Sequence, residues 1–154
     1  MDHRAPFTNI LVPTDGSKNS NYAGRLAVQI GSIHKARLTI AYVVDDTIVN
    51  EVASATGKSR EATIRDLEKK GQTYVDYIGH IARHNDMDYD QRILHGTPYR
   101  EIADLARDLG VNLIVIGRVG CRGPRCALVG SVAERVIEYA PCPVLVVNRE
   151  PEKI

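Results

Sequence analysis

The chain alternates short apolar runs with longer segments whose apolar residues recur every three or four positions. Five runs predict β-strands, at residues 10–12, 38–44, 89–94, 113–116 and 144–147. The first, fourth and fifth are apolar at consecutive positions, which is typical of strands covered on both faces. The third is more polar and alternates, so we expect it near an edge of the sheet.

Four segments between these runs carry the spacing of amphipathic helices. Their apolar faces are marked by four groups of residues: Ala23, Leu26, Ala27, Ile30 and Ile33; Ile64, Leu67, Tyr74, Val75, Ile78, Ile81 and Ala82; Ile102, Leu105, Ala106 and Leu109; Val132, Val136, Ile137 and Ala140. Thr97 is predicted to cap the third helix, with Pro98 at its first position. The polar stretch 45–59 is predicted to be a mobile loop.

Strict alternation of strands and helices indicates right-handed crossovers and a parallel sheet with helices on both faces. We therefore predict a doubly wound, Rossmann-like α/β fold with a five-stranded parallel sheet. The 154 residues suffice for one such domain, with a core from about residue 7 to 149. Ligands of this fold bind beyond the carboxyl ends of the strands, where the strand order reverses.

Composition excludes several classes of partner. Twenty Lys and Arg against nineteen Asp and Glu give a net charge of +1, so the overall charge attracts neither nucleic acid nor anionic lipid. The apolar runs are too short for a membrane span, and the first residues lack the apolar segment of a secretory signal. Three cysteines, an odd number, favour a reducing cytoplasm over a disulfide scaffold.

The first candidate site is the segment 13–17, directly after the first strand. An acid and a glycine-containing turn there, Asp15 and Gly16, could hold a ribose hydroxyl or a metal bound to phosphates. The alternative is a capping turn, in which Asp15 or Ser17 accepts from free N–H groups of the next helix.

The second candidate site is the segment 117–131, after the fourth strand. Its spaced glycines permit a close approach of the main chain to a ligand, and it leads into a helix whose first N–H groups favour an anion. It carries three arginines and no acid, Arg118, Arg122 and Arg125, which suits phosphate. The alternatives are a capping box formed by Ser131 and Glu134, and a tight turn at Gly117.

The third candidate lies at the end of the second strand. Val43 could present a main-chain amide and an apolar side chain to a flat heterocycle such as adenine. The alternative is an ordinary strand end in the core.

Together these segments resemble the universal stress protein family. The family pattern Gly-x2-Gly-x9-Gly-(Ser/Thr) is met at every fixed position, by Gly117, Gly120, Gly130 and Ser131. Segments 9–17, 110–117 and 141–147 are similar to the opening, fourth and closing strands of the family. The similarity extends from about residue 7 to 149 and is weakest between 45 and 90. This chain has Arg118 and Val119 where many members have Ser-His or Ser-Arg.

The resemblance implies a cytoplasmic protein with an adenine nucleotide alpha-hydrolase-like fold that binds ATP, with Mg or Mn, and responds to nucleotide occupancy as a regulatory switch in the stress response. It implies a homodimer through the last strand, Val144, Leu145, Val146 and Val147. The implied nucleotide-binding residues are Pro13, Thr14, Asp15, Val43, Ile116, Gly117, Val119, Gly120, Gly130, Ser131, Val132 and Ala133. Asp15 would lie near the metal carried by the nucleotide.

Three other functions stay open from the residues. Slow ATP hydrolysis is one, although no nucleophile and base occur at motif spacing. A redox site at Cys121 and Cys126 is the second, because arginines beside a thiol favour the thiolate. Binding of a protein partner through residues 45–59 is the third. His80 and His84, one helical turn apart, could hold a metal but are explained as a solvated helix face.

Overall fold

A computed structural model describes residues 6–119 and 129–148. These residues form five strands and five helices, in the order β1 (Asn9–Pro13), α1 (Lys18–His34), β2 (Arg37–Asp45), α2 (Asp46–Thr56), α3 (Arg60–His84), β3 (Tyr89–Gly96), α4 (Pro98–Asp108), β4 (Leu113–Gly117), α5 (Ser131–Tyr139) and β5 (Val144–Val147). Each predicted strand is found, with ends within two residues of the predicted ones.

The strands form one parallel sheet in the order β3-β2-β1-β4-β5. Ile10 of β1 lies opposite Leu38 on one side and Leu113 on the other. The first three strands progress outward in one direction, and β4 is then added on the other side of β1. The order therefore reverses between β1 and β4, and the predicted doubly wound fold is confirmed.

The helices form two layers, one on each face of the sheet. Ile10 and Val12 belong to the core that packs against α1, α2 and α3, whereas Leu11 belongs to the core that packs against α4 and α5. Because successive side chains of a strand point to opposite faces, a strand buried between two layers is apolar at every position. In β2, residues 38–44 are all buried in this way.

The two outer strands differ from the inner ones. β3 is at an edge and is only partly buried, as its polar alternation predicts. The prediction that the fifth run is covered on both faces is wrong, because β5 forms the other edge and its Leu145 is 39% exposed.

The predicted mobile loop at residues 45–59 is also wrong, because most of it is the helix α2. Asp45 caps this helix by accepting a hydrogen bond of 2.9 Å from the main-chain N–H of Thr47. Gly57, with a φ of +70°, ends it. Of the residues in α2, only Val49 is buried, so most of the helix surface is polar and the periodic signal in the sequence is weak.

Some predicted helix-end details differ as well. Thr97 precedes α4 but makes no side-chain capping bond, and Ser131 is the first residue of α5 rather than its cap, which excludes the capping box with Glu134. Ile33 was expected on the buried face of α1 but is 80% exposed, since it lies in the last turn, just before the left-handed Lys35 ends the helix. Val132 and Ile137 of α5 are also exposed in the single chain.

No helix within residues 6–119 and 129–148 has both the length and the apolarity that crossing a membrane requires.

Candidate functional site

The turn after β1 is held in place by its own polar side chains. The main-chain N–H of Thr14 donates to the carbonyl of Ala41 on β2, at 2.8 Å. The buried Thr14 hydroxyl lies 3.1 Å from the hydroxyl of Ser20 and accepts from the N–H of Gly16 at 3.2 Å. Asp15 Oδ1 accepts from the N–H of Ser17 at 3.0 Å. The turn therefore presents Asp15 at a fixed place beyond the end of β1.

The capping interpretation of this turn is confirmed. Ser17 is the N-cap of α1, and its hydroxyl accepts from the main-chain N–H of Ser20 at 3.1 Å. The N-cap is therefore Ser17, and Asp15 accepts from the N–H of Ser17 itself.

Gly16 is required by both conformation and space. Its φ is +80°, and a Cβ there would lie 2.5 Å from ring atoms of Tyr74 on α3. Tyr74 in turn packs edge-on against Tyr42, with ring centroids 5.7 Å apart. The Tyr74 ring therefore packs against the turn at Gly16. Nothing in the sequence around Tyr74 indicated this role.

Gly117, at the end of β4, lies directly against the first turn of α1. A Cβ at Gly117 would be 3.0 Å from the carbonyl carbon of Asn19 and 3.1 Å from its oxygen. The side-chain amide of Asn19 donates to the carbonyl of Val119 at 2.8 Å. The glycine is therefore needed where α1 approaches the sheet, and it is part of β4 rather than a tight turn. Asn19 was not among the predicted site residues.

Gly130 joins the other end of this loop to α5. Its main-chain N–H donates to the carbonyl of Arg118 at 2.6 Å. A Cβ at Gly130 would be 3.2 Å from that oxygen and 3.3 Å from Cα of Val119. Its φ is −67°, so the glycine is needed for the close approach of two chain segments and not for a left-handed conformation.

The first turn of α5 contains N–H groups that its own helix does not pair. The bond from the N–H of Glu134 to the carbonyl of Gly130, at 2.9 Å, is an ordinary helical bond, so the N–H groups of residues 131–133 precede it. Such groups have no partner within their own helix and create a positive end. Ser131 and Val132 are exposed, whereas the side chain of Ala133 is buried in the core.

The predicted site residues thus collect at the C-terminal ends of β1, β2 and β4. Pro13, Ile116 and Gly117 are buried at the strand ends, and Val43 is 9% exposed and belongs to the core shared with α4 and α5. What this edge offers a ligand is mainly main chain, the Asp15 carboxylate and the Ser131 hydroxyl. Gly120, Arg122 and Arg125 lie outside the described residues.

The described residues contain no group of three or more His, Cys, Asp or Glu side chains that could hold a metal ion. His80 and His84 are exposed on α3. Burial raises the pKa of the Cys142 thiol, which favours its neutral, less reactive form. Cys121 and Cys126, the residues of the redox hypothesis, lie outside the described part of the chain.

The model of the universal stress protein family matches residues 6–148. The chain belongs to the universal stress protein family. One relative, the universal stress protein MJ0531 of Methanocaldococcus jannaschii, is 35% identical over 143 residues, which are 93% of this chain and 83% of that protein. The family assignment predicted from the glycine pattern is therefore confirmed.

Solved structures of this fold include a universal stress protein with a bound nucleotide. The structure of MJ0577, determined for structure-based assignment of its biochemical function, is similar with a TM-score of 0.83 at 25% identity, over 96% of this chain and 99% of that one. The structure of a universal stress protein in complex with cAMP has a TM-score of 0.66 at 25% identity, over 94% and 99% of the two chains.

Proposed function

We propose that this universal stress protein binds an adenine nucleotide, ATP with Mg or Mn, at the C-terminal edge of the sheet between β1, β2 and β4. The observation that carries the proposal is the main-chain cradle at the strand reversal. Gly130 lies within hydrogen-bonding distance of Arg118, and the N–H groups at the start of α5 follow directly. A helix start next to a glycine-containing loop is a common phosphate site. The complex of a family member with cAMP supports the choice of an adenine nucleotide.

The residues present fit the parts of such a ligand. The exposed Ser131 hydroxyl and the N–H groups of residues 131–133 suit the phosphate tail. Asp15 supplies one carboxylate beyond β1, which suits a Mg²⁺ ion that is held mostly by phosphate oxygens and water. Val43 and Ile116 offer apolar surface for the base at the ends of their strands.

A regulatory role is supported by the connection between this cradle and the outer strand. The main-chain N–H of Arg118 donates to the carbonyl of Val147, at 2.8 Å. Arg118 therefore contacts both the start of α5, through its carbonyl, and the end of β5, through its N–H. A nucleotide that moves this segment would act on β5, the strand through which we propose that two copies associate.

The phosphate site is tested by the substitution Ser131→Asp, with calorimetry of ATP and Mg²⁺ binding. A carboxylate at the start of α5 is favourable for the helix itself, but it repels a phosphate at the same place. We expect affinity to fall at least about tenfold, which corresponds to roughly 1.4 kcal/mol. The free energy of unfolding should be unchanged or slightly higher.

The matched control is Ser131→Asn, which has nearly the same size and no charge. It should retain most of the affinity. Equal affinity of Ser131→Asp and the unmodified protein would exclude the start of α5 as the phosphate site, and failure of the unmodified protein to bind any adenine nucleotide would exclude the proposed function.

A further inference from the structure

We infer that Asn19 is a positioning residue for the phosphate cradle: it fixes the main chain at Val119, and through it the start of α5. The inference rests on the proposed function for the identity of the ligand. Its structural part concerns Asn19, Val119 and Gly130 alone, and can be tested without a nucleotide.

The hydrogen bond joins two segments that are one hundred residues apart in sequence. Asn19 lies in the first turn of α1, and its Nδ2 donates to the carbonyl of Val119 at 2.8 Å. Since a carbonyl can only accept, the side-chain atom that faces it must be the amide nitrogen. The contact is partly buried, so few water molecules compete for the Val119 carbonyl.

Packing fixes where Asn19 can be. Gly117 has no side chain, and the carbonyl carbon of Asn19 lies only 3.0 Å from where a Cβ would be. Neighbouring bonds hold the same turn of α1, because Ser17 accepts from the N–H of Ser20 and the hydroxyl of Ser20 contacts that of Thr14. The turn of α1 that carries Asn19 is therefore held in place by packing and hydrogen bonds, and the Asn19 amide reaches Val119 from it.

The position of Val119 in turn determines the position of Gly130. The Cα of Val119 is 3.3 Å from where a Cβ of Gly130 would be, and the carbonyl of the preceding Arg118 accepts the Gly130 N–H. Gly130 is the last residue before α5, so a shift of Val119 moves the first N–H groups of that helix. Asn19 thus acts on the cradle through Val119 and needs no contact with the ligand.

Two variants remove the bond in different ways. Asn19→Ala deletes the donor, and Asn19→Asp replaces it with a carboxylate oxygen that repels the Val119 carbonyl. The Asp variant also places an acid in the first turn of α1, which favours the helix. If Asn19 contributed only to the stability of α1, Asn19→Asp would therefore keep its nucleotide affinity. A positioning role predicts weaker nucleotide binding instead.

The matched control is Lys18→Gln, which lowers the net charge by one in the same turn, as Asn19→Asp does, and leaves the Val119 contact intact. Lys18 is exposed. Two quantities are measured for each variant: ATP affinity with Mg²⁺ by calorimetry, and the hydrogen-exchange rate of the Gly130 main-chain amide by NMR in nucleotide-free protein.

We expect both Asn19 variants to bind ATP about tenfold more weakly and to exchange the Gly130 amide faster, and Lys18→Gln to change neither by more than about twofold. Affinity of Asn19→Asp equal to that of Lys18→Gln overturns the inference. If the unmodified protein binds no nucleotide, the proposed function fails, and the exchange rate alone decides on Asn19: faster exchange at Gly130 supports its positioning role, and an unchanged rate overturns it.

Discussion

At the scale of single residues, the glycines along the C-terminal edge of the sheet are constrained by neighbouring protein atoms. Gly16 has a positive φ and lies directly against the ring of Tyr74. Gly117 and Gly130 lie outside the positive-φ region and instead have main chain against the place of a missing Cβ. The same residue type thus meets two different requirements, conformation and space, within one site.

Gly16 and Gly57 allow the two requirements to be separated. Both have a positive φ, but a Cβ at Gly57 meets nothing within 4 Å. We expect Gly57→Ala to lower the free energy of unfolding by about 1 kcal/mol, from conformation alone. Gly16→Ala should cost at least about 2 kcal/mol, because the Tyr74 ring must also move. Urea unfolding at one fixed protein concentration measures both.

The double variant Gly16→Ala with Tyr74→Ala gives the control for this prediction. Removing the ring should make the additional cost of Gly16→Ala fall toward that of Gly57→Ala. Equal costs for the two single glycine variants would contradict the proposed support of the turn by Tyr74.

The sequence predicted the glycines of the site but not their partners. Fixed spacing identifies Gly117, Gly130 and Ser131, because the requirement is local to one segment. Asn19 and Tyr74 act across sequence separations that only the folded chain closes, from α1 to Val119 and from α3 to Gly16. An asparagine early in a helix and a tyrosine in an amphipathic helix have no pattern that distinguishes them from ordinary surface or core residues.

At the scale of elements, α2 shows where periodicity is insufficient. The three inner strands and the helices α1, α3 and α4 bury several apolar residues each, so their apolar spacing is clear. α2 fully buries only Val49, with Ile48 partly buried beside it, and the exposed positions are mostly polar. The signals that were present are its ends, Asp45 as a cap and Gly57 as a left-handed terminus.

Val49 and Val52 test whether residues 45–59 are folded as this helix. Val49 is fully buried and Val52 is 36% exposed. In a packed helix, Val49→Ala should lower the free energy of unfolding by about 2 kcal/mol and Val52→Ala by no more than about 0.5 kcal/mol. A mobile loop predicts small and equal effects for both, which would contradict the helix. Chemical unfolding measures the two values.

At the scale of the whole molecule, the two edges of the sheet differ in chemistry. On β3, the carboxylate of Asp90 accepts from the main-chain N–H of Gln91 at 3.0 Å and from the Arg92 side chain at 2.8 Å. The Arg92 guanidinium holds the pKa of Asp90 below its ordinary value, so the carboxylate stays charged. Charged side chains of this kind protect a sheet edge from pairing. β5 instead exposes Leu145.

The apolar edge of β5 is where we expect the proposed homodimer to form. α5 extends the exposed apolar surface near this edge with Ile137 and Tyr139, which are 48% and 47% exposed. In a two-fold dimer each substitution occurs twice at the interface, so Leu145→Lys introduces two buried charges. We expect this variant to be monomeric at concentrations where the unmodified protein is dimeric, as measured by sedimentation velocity.

The matched control is Val52→Lys, which changes a residue of similar exposure on α2. This helix packs against β2 and α3, at the opposite end of the sheet from β5. Val52→Lys should sediment as the unmodified protein does. Because an edge interface depends on β5, a Leu145→Lys variant that stays dimeric, or a dimer disrupted equally by Val52→Lys, would place the interface elsewhere. If this interface is coupled to the cradle, saturating ATP should shift the dimer dissociation constant of the unmodified protein. The sedimentation coefficients of the monomer and of the dimer should stay the same.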